Sequence, residues 1–224
     1  MQKIEYGRYY HIYNRGINSC NLFEENMNYE YFLNLYEKYV YPIADTYAWC
    51  LMKNHFHFLV RIKEKNELKY LPPKTQNPDK SKKRLCRVNN QVDPSGSERP
   101  DGVLYTKKLP IPENQFGHLF NAYAKAFNKK YGRTGSLFER PFCRILIEDN
   151  SYLKYLVYYI HHNPVKHGFV EDMIEYPWSS FLSVLSPKQT HLKRKDVINW
   201  FDGLDNLKYF HRQEHDLENI KNLI

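Results

Sequence analysis

HFHFLVRI, residues 55–62, is the stretch from which the fold is read. On a strand, residues two apart share a face. That phase puts His55 and His57 together and leaves Phe56, Phe58, Val60 and Ile62 as a continuous apolar stripe on the other side. A second β-rich run, DTYAWCLM at 45–52, precedes it, and Lys53-Asn54 sits where a tight antiparallel turn fits. Upstream, YYHIYNR at 9–15 is aromatic and β-branched and ends at Gly16, which predicts a further strand.

Helical spacing fills the intervals. Tyr29, Phe32, Leu33 and Tyr36 predict a helix within 23–40, and Phe116, Leu119, Phe120, Tyr123 and Phe127 predict another from Asn114 to Tyr131-Gly132. FERPFCRILI at 138–147 predicts a strand whose Pro141 favours an edge or an irregularity. Asp149 or Asn150 caps a helix over 151–162, expected to end before Pro164. A turn or short helix starts at 177–180. The resulting order of strand, helix, strand, strand, helix, strand, helix predicts an α+β fold. It is a ferredoxin-like, split βαβ sandwich with a central antiparallel sheet and helices on its faces. One domain over 1–185 is expected, with a polar, basic, breaker-rich insertion at about 64–112 and a charged helical extension over 186–224.

Composition narrows the partners. The 224 residues carry a net charge of +8, which favours a polyanion. Twenty tyrosines and thirteen phenylalanines bring aromatics to 16%, and aromatic faces among Lys and Arg suit stacking on unpaired bases. Cys20, Cys50, Cys86 and Cys143 are scattered without a C-x-x-C pair, so neither a disulfide framework nor a four-cysteine zinc site is expected. The N-terminal residues lack the apolar run of a signal peptide, and no apolar run nears the ~20 residues that span a bilayer. A cytoplasmic protein with no membrane contact is expected.

Two imidazoles side by side on a strand can bind a divalent ion, although isolated H-x-H pairs are often surface or hydrogen-bonded histidines. The helix at 151–162 adds to them. Leu153, Leu156, Val157 and Ile160 form its buried stripe, and Tyr155, Tyr159 and Asn163 run beside it four residues apart. A phenol at Tyr159 and an amide oxygen at Asn163, with the two histidines, would leave open metal positions for a phosphate.

Five blocks carry a resemblance: YHIYNRG at 10–16, WCLMKNHFHFLV at 49–60, GSLFERPF at 135–142, YIHHNPVKHGFV at 159–170 and YPWSSF at 176–181. In this order the chain resembles the HUH single-tyrosine transposases, most nearly the REP-associated tyrosine transposases. The resemblance implies His55 and His57 as metal ligands and Tyr159 as nucleophile, with Asn163 standing where the insertion-sequence branch often has Gln. Asn is the shorter side chain, which makes Asn163 a less secure ligand. It also implies Mg or Mn as cofactor. The activity implied is cleavage and rejoining of single-stranded DNA near a hairpin through a 5′-phosphotyrosine. A domesticated relative that binds hairpin nucleic acid without cutting is the alternative. A zinc hydrolase lacks both a third matched histidine and a helical H-E-x-x-H.

A tyrosine of ordinary pKa is a poor nucleophile at neutral pH, so the metal or a base such as His162 would promote its deprotonation. Tyr158 lies about 100° around the helix from Tyr159, and Tyr155 sits one turn back. Arg15, Arg140 and Arg144, with Lys82, Lys83 and Arg84 of the insertion, are the candidate phosphate contacts. Trp49 and Trp178 read as core anchors. The resemblance implies a monomer, or a homodimer if tyrosine and histidines are paired across subunits as in insertion-sequence relatives.

Overall fold

Four strands with alternating side chains organise the protein, in a computed structural model that describes residues 3–68 and 109–215. They are β1 (Tyr9–Arg15), β2 (Ala44–Met52), β3 (His55–Ile62) and β4 (Cys143–Ile147). The sheet order is β2-β3-β1-β4, and every pairing is antiparallel. Helix α1 (Asn26–Tyr39) joins β1 to β2, and α2 (Pro112–Lys130) leads toward β4. This is the α+β split βαβ arrangement expected from the sequence.

The period-2 pattern separates two apolar layers. Tyr10, Ile12, Leu51, Phe56, Phe58, Val60 and Ile62 pack with Phe32 and Tyr36 of α1 and Phe116, Leu119 and Tyr123 of α2. Phe56 and Phe58 are almost wholly enclosed, and burial of each is worth about 1.5–3 kcal/mol. On the other face lie Ala48, Cys50, Met52 and Leu59. They are covered by helix α3 (Leu153–Lys166) through Leu156, Val157 and Ile160. Short helices α4 (Phe181–Leu185), α5 (Arg194–Trp200) and α6 (Leu204–His211) complete this layer with Phe181, Val197, Phe201 and Leu207. Trp178 stacks on Tyr29 with ring centres 4.5 Å apart, an anchor as expected. No helix among the described residues is long and apolar enough to cross a membrane.

Three boundaries differ from expectation. Helix α1 begins at Asn26 rather than near Phe23, because the Leu22 and Phe23 amides donate to the Lys53 carbonyl and tie that segment to the β2–β3 turn. Strand β4 begins at Cys143; upstream, Phe138 makes a lone bridge to Gly16. Pro141, in between, has no N–H to give to a ladder. Helix α3 does not stop before Pro164 but runs through it to Lys166. Its end is closed by the His167 amide on the Asn163 carbonyl and the Gly168 amide on Val165, with Gly168 in the left-handed region at φ 68°. The last helical turn, carrying Lys166, therefore projects beyond Asn163 on the side of Tyr159.

Candidate metal and nucleophile site

The site forms where α3 crosses the face of β1 and β3 that carries histidines. In the β1–β3 register, Arg15 is opposite His55 and Tyr13 is opposite His57. Pairs directly opposite share a face, so Arg15, Tyr13 and His11 line up beside His55 and His57. Across this row lies Tyr159, whose ring centre is 5.6 Å from that of His57 and edge-on to it. Tyr159 and the histidines thus meet within one chain, with Asn163 one turn further along the same helix.

Each histidine has one nitrogen already engaged. His55 Nδ1 is 2.7 Å from Asn54 Oδ1, an atom that can only accept, so Nδ1 carries the proton and Nε2 keeps a lone pair. His57 Nδ1 is 2.9 Å from Nε2 of His11, a bond in which either ring can donate, so Nε2 is the His57 nitrogen left unengaged. Burial drives both rings toward the neutral form. His55 is lowered to about 4, by burial and then by the charges of His167, Arg15 and Lys166. His57 lies well below the usual histidine value, chiefly through burial. Neutral imidazoles are the form that ligates a cation.

Asn163 is wholly buried and its Nδ2 donates to the Tyr159 carbonyl at 2.8 Å. Its Oδ1 is buried with no hydrogen-bond partner among the described residues. A buried orphan oxygen is unusual in a native structure, and an oxygen donor of this kind suits a hard divalent ion. Among the described residues no three His, Cys, Asp or Glu side chains converge on a common point. The candidate donors are the His55 and His57 imidazoles and, beside Tyr159, the unpartnered Asn163 amide oxygen.

Tyr159 is buried, and burial raises its phenol above the usual value, partly offset by a hydrogen bond with Asn163. The ammonium of Lys166 lies 5.1 Å from the ring centre, within cation–π range. The structure does not bring His162 to Tyr159: its ring stacks on Tyr158 at 5.1 Å, on the side of α6. The two residues are four apart and occupy the next face of the helix.

The arginines separate as well. Arg15 stands beside His55, donating to Ser19 Oγ at 2.9 Å and facing Glu139 at 3.7 Å. Arg140 is exposed before Pro141. Arg144 pairs with Ile12 in the β1–β4 register, which places it on the opposite face of the sheet from the histidines, with its guanidinium 5.4 Å from the Phe142 ring. Lys82, Lys83 and Arg84 lie outside the described residues.

Four neighbours of the site were not singled out from the sequence: His11, Tyr13, Lys166 and His167, the last with its ring 5.1 Å from that of His55. Alternation along β1 already placed His11, Tyr13 and Arg15 on one face. What was missing was the register, which sets Tyr13 opposite His57 and Arg15 opposite His55.

No family model matches the chain. A provisionally named REP-associated tyrosine transposase of Haemophilus influenzae is 28% identical over 141 residues, covering 63% of this chain. The match spans 60% of that relative's length. A solved structure, of a REP-associated tyrosine transposase bound to a REP hairpin, superposes with a TM-score of 0.51 at 14% identity over 84% of each chain. The first comparison bears out the resemblance seen in the sequence blocks, and the second bears out the fold.

Proposed function

We propose that the chain is a REP-associated tyrosine transposase, a metal-dependent enzyme that cuts and rejoins single-stranded DNA beside a hairpin. The observation that carries the reading is the meeting of Tyr159 with the His55–His57 pair, 5.6 Å from the nearer ring, inside one subunit. The meeting of Tyr159 and the histidines within one chain supports a monomer as the acting unit. The named relatives and the net charge of +8 support a DNA partner.

His55 Nε2, His57 Nε2 and Asn163 Oδ1 would hold a divalent cation, Mg or Mn. When bound, that ion supplies Lewis-acid polarisation of the scissile phosphate. The chain's own groups do the rest. Asn54 and His11 hold the two imidazoles in place. Arg15, on the same face as His55, is positioned to meet a phosphate oxygen. The Tyr159 oxygen attacks phosphorus, forming the O–P bond of a 5′-phosphotyrosine as the 3′-oxygen departs. Attack by a second 3′-hydroxyl reverses the step and rejoins a strand. Because burial raises the phenol, its proton is lost to solvent while the departing 3′-oxygen takes one up, and the Lys166 ammonium stands 5.1 Å from the ring. In this reading His162 takes no part as base, since its ring faces Tyr158.

The test is incubation of the protein with a hairpin flanked by single strands, with Mn2+ and with EDTA. Cleavage only in the presence of the ion is expected. Tight hairpin binding without cleavage under any divalent ion would establish the binding-module alternative instead.

A further inference from the structure

Resting on that reading, we infer that His11 is a positioning residue that determines which nitrogen of His57 faces the ion. His11 stands opposite Leu59 in the β1–β3 register and reaches diagonally to His57. Both rings are buried, at 1% and 5% exposure. They lie nearly parallel, with an interplanar angle of 17°, and His11 Nε2 meets His57 Nδ1 at 2.9 Å. Tyr13 stacks on the pair at 5.0 and 5.7 Å, and the Tyr159 ring closes the remaining side edge-on. The His57 ring therefore has little freedom to turn and present its other nitrogen.

A free imidazole ligates through either nitrogen. Here Nδ1 is taken, so the lone pair available to a cation is on Nε2. A neutral imidazole that ligates through Nε2 keeps its proton on Nδ1. In that state His57 Nδ1–H donates to His11 Nε2, and the proton of His11 sits on its own Nδ1. That Nδ1 is buried without a partner among the described residues. Outer hydrogen bonds of this kind fix the orientation and basicity of a ligating histidine, and their loss typically costs 10–100-fold in metal affinity. His55 has the equivalent support from the Asn54 amide oxygen. The two ligands thus have different outer partners, an amide on one side and an imidazole on the other.

The experiment is Mn2+ binding, followed by electron paramagnetic resonance, to wild type, H11L, H11Q and H11N, with folding checked by circular dichroism. A glutamine carbonyl can reach the position of Nε2, whereas the shorter asparagine reaches only that of Nδ1. H11L and H11N are expected to bind about 10–100-fold more weakly, and H11Q to stay within about 3-fold of wild type. Ring 15N shifts of the Zn2+-loaded wild type should show His57 metallated at Nε2 and protonated at Nδ1. If H11L fails to fold, the contrast between H11Q and H11N carries the test. Binding by folded H11L or H11N within about 3-fold of wild type, or ligation of His57 through Nδ1, overturns the inference and leaves the metal site standing. Absence of Mn2+ binding by wild type overturns both.

Discussion

Replacing His211 by Leu should unsettle the helix that carries Tyr159 without touching the site itself. The reason is a buried polar chain running through the second apolar layer. His211 Nδ1 lies 2.9 Å from the Leu207 carbonyl, which can only accept, so Nδ1 bears the proton and Nε2 accepts. His161 Nδ1, 3.1 Å away, must then donate. Its Nε2 accepts from Ser180 Oγ at 2.8 Å, and that oxygen accepts from the Trp49 amide at 2.9 Å. Every member is satisfied, and the chain ties β2, α3, α4 and α6 together.

Leucine fills much of the vacated volume but leaves the His161 N–H buried and unpartnered, at a cost of about 1–3 kcal/mol. For a chain of this size that is a fall of about 2–4 °C in Tm per kcal/mol. Changing both partners, His161→Phe with His211→Leu, removes the orphan, and the double variant should lose less than the sum of the singles. Urea unfolding of the four proteins gives the coupling energy directly. Additive losses would refute the relay, since His211 would then contribute packing alone.

Two other outcomes are expected. Burial lowers His11 to about 3 and both His55 and His211 to about 4, against ~6.5 in an unfolded chain. The unfolded state therefore binds more protons below pH 6.5, and stability is full above that value and lost as pH falls toward 4. Three such centres amount to about 5 kcal/mol between pH 6.5 and 5. Urea titrations in EDTA at the two pH values measure it, and equal stability at both would contradict the burial of these rings. Gly16→Ala places a methyl group against the Cys20 carbonyl, although the backbone φ of −67° is ordinary. A loss of about 1–3 kcal/mol is expected. Because the Gly16 amide holds the Asn54 carbonyl, weaker Mn2+ binding at His55 should accompany it.

Much of the fold was legible because its signals are local. Strands β1 and β3 end where alternation predicted, since each is flanked by a turn residue and buries one continuous stripe. The path of α3 through Pro164 was not legible. A proline normally closes a helix, and here the left-handed Gly168 and the Asn163 carbonyl let one more turn form. The residues of the site divide in the same way. Spacing within one element paired His55 with His57 and put Tyr155, Tyr159 and Asn163 on one helix face, and the family resemblance singled out Tyr159. His11 reaches His57 only because β1 inserts beside β3, a neighbour relation between segments 46 residues apart. Lys166 was hidden by the helix end expected before it. The i, i+4 phase that placed Tyr155 beside Tyr159 also holds for Tyr158 and His162, whose rings stack at 5.1 Å.

The account turns on Tyr159 as the atom that bonds to DNA. The direct measurement is mass spectrometry of the protein after reaction with a hairpin-flanked oligonucleotide and Mn2+, comparing wild type with Tyr159→Phe. The account predicts a nucleotide adduct on the peptide containing Tyr159 in wild type and no adduct in the variant. An adduct that persists in Tyr159→Phe, or one mapped to Tyr13, Tyr155 or Tyr158, would contradict it.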